Sequence, residues 1–206
     1  LEEAASDKIN ADNGMIYLLK VQCTHPDGRP ISTIHFVSGG FGALHGLDGR
    51  DCLPGPSNMA AVPVEIWESI TGMSVLSKKM IPDSGGAGEF RGGVGQEVTL
   101  RNDTGKPMTV LSMGNRTEFA APGYNKGKPG ALREHQINGK TINPKGAHVL
   151  APLDTITLRQ AGGGGIGDPR MREKKKIKRD LALGLVSKEG AESCLLYTSD
   201  AADDRI

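Results

Sequence analysis

The placement of glycine constrains this chain more than any other feature. Of 206 residues, 29 are glycine, and many fall in three segments: GGFGALHGLDG (39–49), DSGGAGEFRGGVGQ (83–96) and AGGGGIGDP (161–169). Glycine lacks a Cβ, so it enters tight turns and close backbone approaches at the cost of more conformational entropy on folding. Together with 12 prolines, this density argues for short strands and turns rather than long helices. No segment has the G-x-x-x-x-G-K-[ST] spacing of a phosphate loop. None shows the strand, helix and downstream acid of a dinucleotide fingerprint. As residues alone, the glycines permit tight turns between strands.

Apolar patterning fills in the rest. Met15–Val21 is an apolar run of strand length, and His25-Pro26-Asp27-Gly28 is a turn signal. Ile31–Val37 alternates, with Ile34 and Phe36 on one face and Thr33 and His35 on the other. The two runs make an antiparallel pair. Residues 1–13 are polar and helix-compatible. Residues 38–56 read as a long loop. A helix is expected over Val64–Ile70, opened by Pro63 and closed by Gly72. Strands are expected over Met73–Ile81, Gln96–Arg101, Met108–Met113, Ala147–Leu150 and Thr155–Arg159. A hairpin connection is expected at 102–107. Asn138-Gly139 predicts a second hairpin, because both residues tolerate positive φ. Asp168-Pro169 opens a last helix, with Ile177, Leu181 and Leu185 at a spacing of four, ending near 184–187. The fold class is α+β, a β-rich mixed domain with Gly-rich loops and a C-terminal helix.

Charge narrows the partners. The 25 basic and 24 acidic residues nearly cancel, which makes no general case for nucleic acid or an anionic membrane. No stretch is long and apolar enough to span a bilayer. Cys23, Cys52 and Cys194 are odd in number and form no C-x-x-C pair. A reducing cytoplasm is therefore expected. The segment from Cys194 to Asp204 can be encoded by a transposon-adaptor sequence of the kind used in library preparation. Residues 194–206 are accordingly read as a non-native tail, apart from the native portion 1–193.

In order, the chain carries GGFGA, an Asp-Gly pair, NMAAVPVEIWE (58–68), PDSGGAGEFRGGVGQ (82–96), and AGGGGIGDP followed by a helix ending GLVS (184–187). This series resembles the C-terminal region of the hydantoinase B/oxoprolinase family from about Asp27 to Ser187. That family includes ATP-dependent 5-oxoprolinases, N-methylhydantoinases and the related large subunit of acetone carboxylases. The resemblance implies part of a B-type subunit of an ATP-dependent hydrolase that opens a cyclic amide, a hydantoin or 5-oxoproline. It also implies a hydantoinase A-type nucleotide-binding partner, or fused domain, that holds ATP and phosphorylates the substrate carbonyl. A divalent metal is implied in the family's N-terminal part, which this chain lacks, and so is an oligomeric assembly. An acetone-carboxylase-type subunit and a non-catalytic β-rich assembly module are the other readings. The fragment alone is expected to be inactive.

Five residues are the substrate-binding candidates: Asp83, Ser84, Arg91, Asn58 and Glu65. Asp83 and Arg91 bracket the DSGG segment. Arg91 could grip an anionic intermediate with its planar donor fork, or the two could form an ion pair that fixes the loop. Ser84 has no base beside it in sequence that would make it a nucleophile. Glu65 and Glu68 share a helix face, as an acid–base pair, as metal ligands or as a solvated first turn. Cys23, His25, His35, His45 and Cys52 match no zinc spacing, and His35 reads as an exposed or hydrogen-bonded strand residue. The basic run RMREKKKIKR (170–179) reads as the solvated face of the last helix, or as a contact to an acidic partner.

Overall fold

Period-two apolar side chains set the core, and they come from two antiparallel sheets. A computed structural model describes residues 8–14, 17–53 and 62–195. Strands β1 (Tyr17–Thr24), β2 (Pro30–Phe36), β5 (Met108–Gly114) and β8 (Gly146–Leu150) form one sheet in the order β2-β1-β5-β8. Strands β3 (Met73–Met80), β4 (Gln96–Asn102), β6 (Glu134–Ile137), β7 (Lys140–Ile142) and β9 (Thr155–Arg159) form the other, in the order β3-β4-β9-β6-β7. Leu19, Val21, Met108, Val110 and Leu150 from the first sheet meet Met73, Val98, Leu100, Ile156 and Leu158 from the second in one buried cluster. The result is a sandwich whose core is almost wholly aliphatic. Each such side chain contributes about 1.5–3 kcal/mol by leaving water.

Helix α1 (Val64–Thr71) starts after Pro63 and stops at Gly72, which is left-handed with φ 69° and donates its amide to Glu68 O. It buries Trp67 against the core and sets that ring against His35, tilted at 47° with centroids 4.4 Å apart. Here the alternation in β2 holds but its faces are reversed. His35 is buried, and Ile34 is 42% exposed. The indole supplies a flat apolar neighbour that accepts an uncharged imidazole, so the polar-looking face points inward.

Among the described strands, five connections pass between the sheets, and two of them meet at one buried residue. The segment between β4 and β5, expected as a hairpin, instead carries the chain from one sheet to the other, as does the turn between β8 and β9. Asn102, fully buried, ties both crossovers together. Its Nδ2 donates to the carbonyls of Lys106, Leu150 and Ala151, and its Oδ1 accepts from Thr104 N and Oγ1. Asn138-Gly139 does form the β6–β7 hairpin, with φ 49° and 76°.

At the other end of the sandwich, β2 and β9 run out and β4 and β6 begin, and the glycine segments continue from them. They do not separate into turns; they pack into one layer. Segment 161–166 is its centre. The amides of Gly162 and Gly165 donate to Ala131 and Lys128, those of Gly163 and Ile166 to Gly93 and Phe90, and that of Gly164 to Ala11. The neighbour changes with a period of three. A strand would alternate between two neighbours, whereas an extended helix of three residues per turn addresses three. Glycine is required because a Cβ on Gly163 would sit 2.4 Å from Phe41 O, and one on Gly164 2.0 Å from Pro122 O. Residues 11–13, expected to be helical, run through this layer as extended chain, with Ala11 N donating to Ala43 O.

The C-terminal helix is broken in two. A single 3-10 turn (Pro169–Met171) with Asp168 as its cap precedes α2 (Lys174–Ala182), and α3 (Lys188–Leu195) follows a turn at Gly184. Ile177, Leu181 and Val186 pack with Ala191 and Ala87, which seats both helices on the DSGG segment.

Candidate functional site

Arg91 leaves the glycine layer with its side chain 5% exposed. Such a cation must be paired. Its Nη1 donates to Asp51 Oδ1 at 3.0 Å and to Gly92 O at 2.6 Å, and its Nε to Asp180 Oδ2 at 3.4 Å. Its amide donates to Asp48 Oδ1 at 2.8 Å. Arg172, with a side chain 0% exposed, completes the cluster. It donates to both oxygens of Asp48, at 2.7 and 3.0 Å, and to Asp180 Oδ2 at 2.6 Å. Burial alone would raise the Asp48 pKa. The Arg172 hydrogen bonds and charge, with the Arg91 amide, outweigh it and hold the carboxyl below its ordinary 3.8. The network pins the 39–49 segment, the DSGG segment and α2 to one another.

The sequence candidates distribute unevenly around this network. Asp83, with φ 60°, does not pair with Arg91. Its Oδ1 accepts from Ser187 N at 2.9 Å, and its amide donates to Leu185 O, so it docks the start of α3. Ser84 is 2% exposed; its hydroxyl donates to Ile81 O and accepts from Gly95 N. Asp83 and Arg91 do border a common cavity of about 120 Å³, together with Gly85, Lys128, Val186 and Gly190. Glu65 is exposed on α1, and Glu68 accepts from Val75 N at 2.7 Å, so the two do not act as a carboxylate pair. Asn58 lies outside the described residues.

Sequence reasoning missed Asp48, Asp51, Arg172 and Asp180. Within the basic run expected to be a solvated face, Arg172 is interior, whereas Lys174, Lys175, Lys178 and Arg179 are exposed. A signal was available: Arg172 lies between the Asp168-Pro169 turn and the apolar spacing of α2, where the chain is still turning.

A wider cleft, of about 760 Å³, lies on the other side of Arg91. Asp48, Asp51 and Asp180 form its floor, and Arg50, Lys176 and Arg179 its rim. Among the described residues no group of three or more His, Cys, Asp or Glu is placed to hold a metal ion. The floor carboxylates are already engaged by guanidiniums, so these residues do not fit a metal. The glycine amides do not fit a nucleotide phosphate, because Gly86, Gly92, Gly93 and Gly162–Gly165 all donate to protein carbonyls.

Ser112, Arg133 and His135 make a second buried polar cluster, which links the two sheets. Arg133 Nε meets His135 Nε2 at 3.0 Å, and Ser112 Oγ meets His135 Nδ1 at 3.1 Å. Burial, then the charges of Arg133 and His148, push His135 down to about 2. Burial, then Lys78, pushes His35 down to about 4.

A two-sheet sandwich closed by a glycine layer is a fold shared with solved enzymes. The ATP-dependent caprolactamase of Pseudomonas jessenii matches with a TM-score of 0.80 at 22% identity, over 97% of this chain and 37% of that one. An acetone carboxylase in its nucleotide-free form matches with a TM-score of 0.79 at 20% identity, over 93% of this chain and 31% of that one. The chain belongs to the hydantoinase B/oxoprolinase family, whose model matches residues 1–169. The caprolactamase subunit beta of Pseudomonas jessenii is 27% identical over 93% of this chain, which spans 36% of that relative's length. Among the described residues no helix is long and apolar enough to cross a membrane.

Proposed function

We propose that this chain is the C-terminal portion of the B-type subunit of a cytoplasmic ATP-dependent hydrolase that opens a cyclic amide, working with a hydantoinase A-type nucleotide-binding partner. The observation that carries this reading is the likeness to a caprolactamase subunit beta along 93% of the chain, within the shared family. In this reading ATP and any divalent metal are held elsewhere, by the partner or by the rest of the subunit. ATP then supplies a phosphate leaving group for the amide carbonyl, and the described residues hold neither group. Asp83 and Arg91 border one cavity and are the candidates through which this portion reaches substrate. Their polar atoms are also engaged within the protein, so they position the site rather than perform proton transfer. The half-buried, unpaired Cys23 and Cys52 suit a reducing compartment.

The test is to co-purify the parent subunit with its nucleotide-binding partner and measure ATP hydrolysis with 5-oxoproline, hydantoin or caprolactam. Turnover that depends on a cyclic amide supports the proposal. Turnover only with acetone and bicarbonate assigns the chain to the carboxylase reading, which the shared fold supports equally. A complex that assembles but turns over none of these leaves the assembly-module reading and sinks the hydrolase.

A further inference from the structure

The 760 Å³ cleft beside Arg91 is within the size range of small-molecule sites, and its charges do not cancel. Its three floor carboxylates face inward to two buried guanidiniums, Arg91 and Arg172, leaving one negative charge. The rim adds three cations, Arg50, Lys176 and Arg179, and Glu173 offsets Lys176, so the cleft carries an excess of one positive charge. Lys176 reaches Glu173 at 3.6 Å and lies 5.0 Å over the Phe90 ring. Among the described residues neither Arg50 nor Arg179 has a carboxylate within ion-pair distance. Leu44, Leu47 and Leu53 line the same cleft, and Leu47 is 63% exposed. Apolar surface beside guanidiniums without partners is the complement of an anion on an apolar body, and the planar fork of arginine suits carboxylate and phosphate alike.

We propose that this cleft binds a small organic oxyanion, with its carboxylate or phosphate group held by Arg50 and Arg179 and its apolar part on Leu44, Leu47 and Leu53. The concave form and the leucines favour a small molecule over an acidic protein surface, which would need a broad, open face. The floor is preorganised: Arg91 and Arg172 hold Asp48, Asp51 and Asp180 in place and offset most of their charge from within the protein. Lys176, already near Glu173 and Phe90, contributes longer-range attraction. This inference stands on the cleft itself and does not depend on the reaction proposed above.

The full chain is titrated by calorimetry with phenyl phosphate, benzoate and an acidic hexapeptide. Saturable binding of phenyl phosphate or benzoate is expected, on the order of tenfold weaker in the Arg50→Gln/Arg179→Gln variant and unchanged in Lys188→Gln, which lies on α3 outside the cleft. Whichever of the two binds more tightly identifies the anionic group. Both substituted arginines are exposed, so the double variant keeps its unfolding midpoint. Binding that the double variant leaves unaltered overturns the proposal, as does the absence of binding by both small anions up to about 10 mM. Binding of the acidic peptide in their place assigns the cleft to a protein partner and overturns it equally.

Discussion

Arg172 and Arg179 sit seven positions apart in one basic run, yet the fold gives them opposite tasks. Arg172 is enclosed with Asp48 and Asp180, and removing one partner of a buried pair leaves the other's charge uncompensated. Arg172→Ala is expected to cost about 3–5 kcal/mol, read from urea unfolding. Arg179→Ala is expected to stay within about 0.5 kcal/mol. Equal, small effects at both positions would show that the buried network does not hold the loops. Composition cannot tell these arginines apart, because the difference arises from where the chain turns after Pro169. Arg91 was legible as a residue that matters; its partners were not. They lie 40 and 89 positions away, at Asp51 and Asp180.

At the scale of elements, strands were the most legible part. Periods of two and short apolar runs located β2 to β5, β8 and β9 within a residue; β1 runs three residues past its expected end at Val21, and β6 and β7 flank the expected Asn138-Gly139 turn. What the sequence did not reveal was which sheet each strand joins: β4 and β5 read as a hairpin because their connection is short and polar. Only the set of inward residues on both sheets shows that it crosses. The glycine segments were legible as a signal but were read as turns, since a single segment gives no hint of the neighbours that make it a layer. The layer is sharply testable. Gly164→Ala places a Cβ 2.0 Å from Pro122 O, and the backbone there cannot retreat without losing hydrogen bonds on every side. Loss of cooperative unfolding, or of soluble protein, is expected. Gly105→Asn, at φ 72° with nothing within 4 Å of its Cβ, is expected to fold with stability within about 1 kcal/mol of the parent, because Asn tolerates that conformation.

For the whole molecule, acid is the informative perturbation. His35 and His135 are held neutral, with folded pKa values depressed to about 4 and about 2 from 6.5. Their contribution to stability is present above pH 6.5 and is lost as pH falls, because the unfolded chain takes up protons that the folded chain refuses. Each is expected to cost about 1.4 kcal/mol per pH unit below that point, over a window ending near pH 4 for His35. Asp48 acts lower down, with stability present above 3.8 and lost as pH drops through its depressed folded value. His35→Phe, which keeps a ring against Trp67, is expected to reduce the slope of unfolding free energy against pH between 6 and 4 by one proton. An unchanged slope would mean that His35 takes up its proton in the folded state.

The period-three glycine layer carries a lesson for anyone comparing relatives of this chain. Its contacts are made by main-chain atoms, so no larger residue can substitute at its tightest positions, whatever the chemistry performed nearby. A survey of tolerated substitutions would show a block of positions as intolerant as any catalytic triad. That block would mark the thickness of a wall, and members of the family with different substrates would share it unchanged. Differences in what each enzyme accepts should therefore be sought in the side chains that border the layer, where selection has room to act.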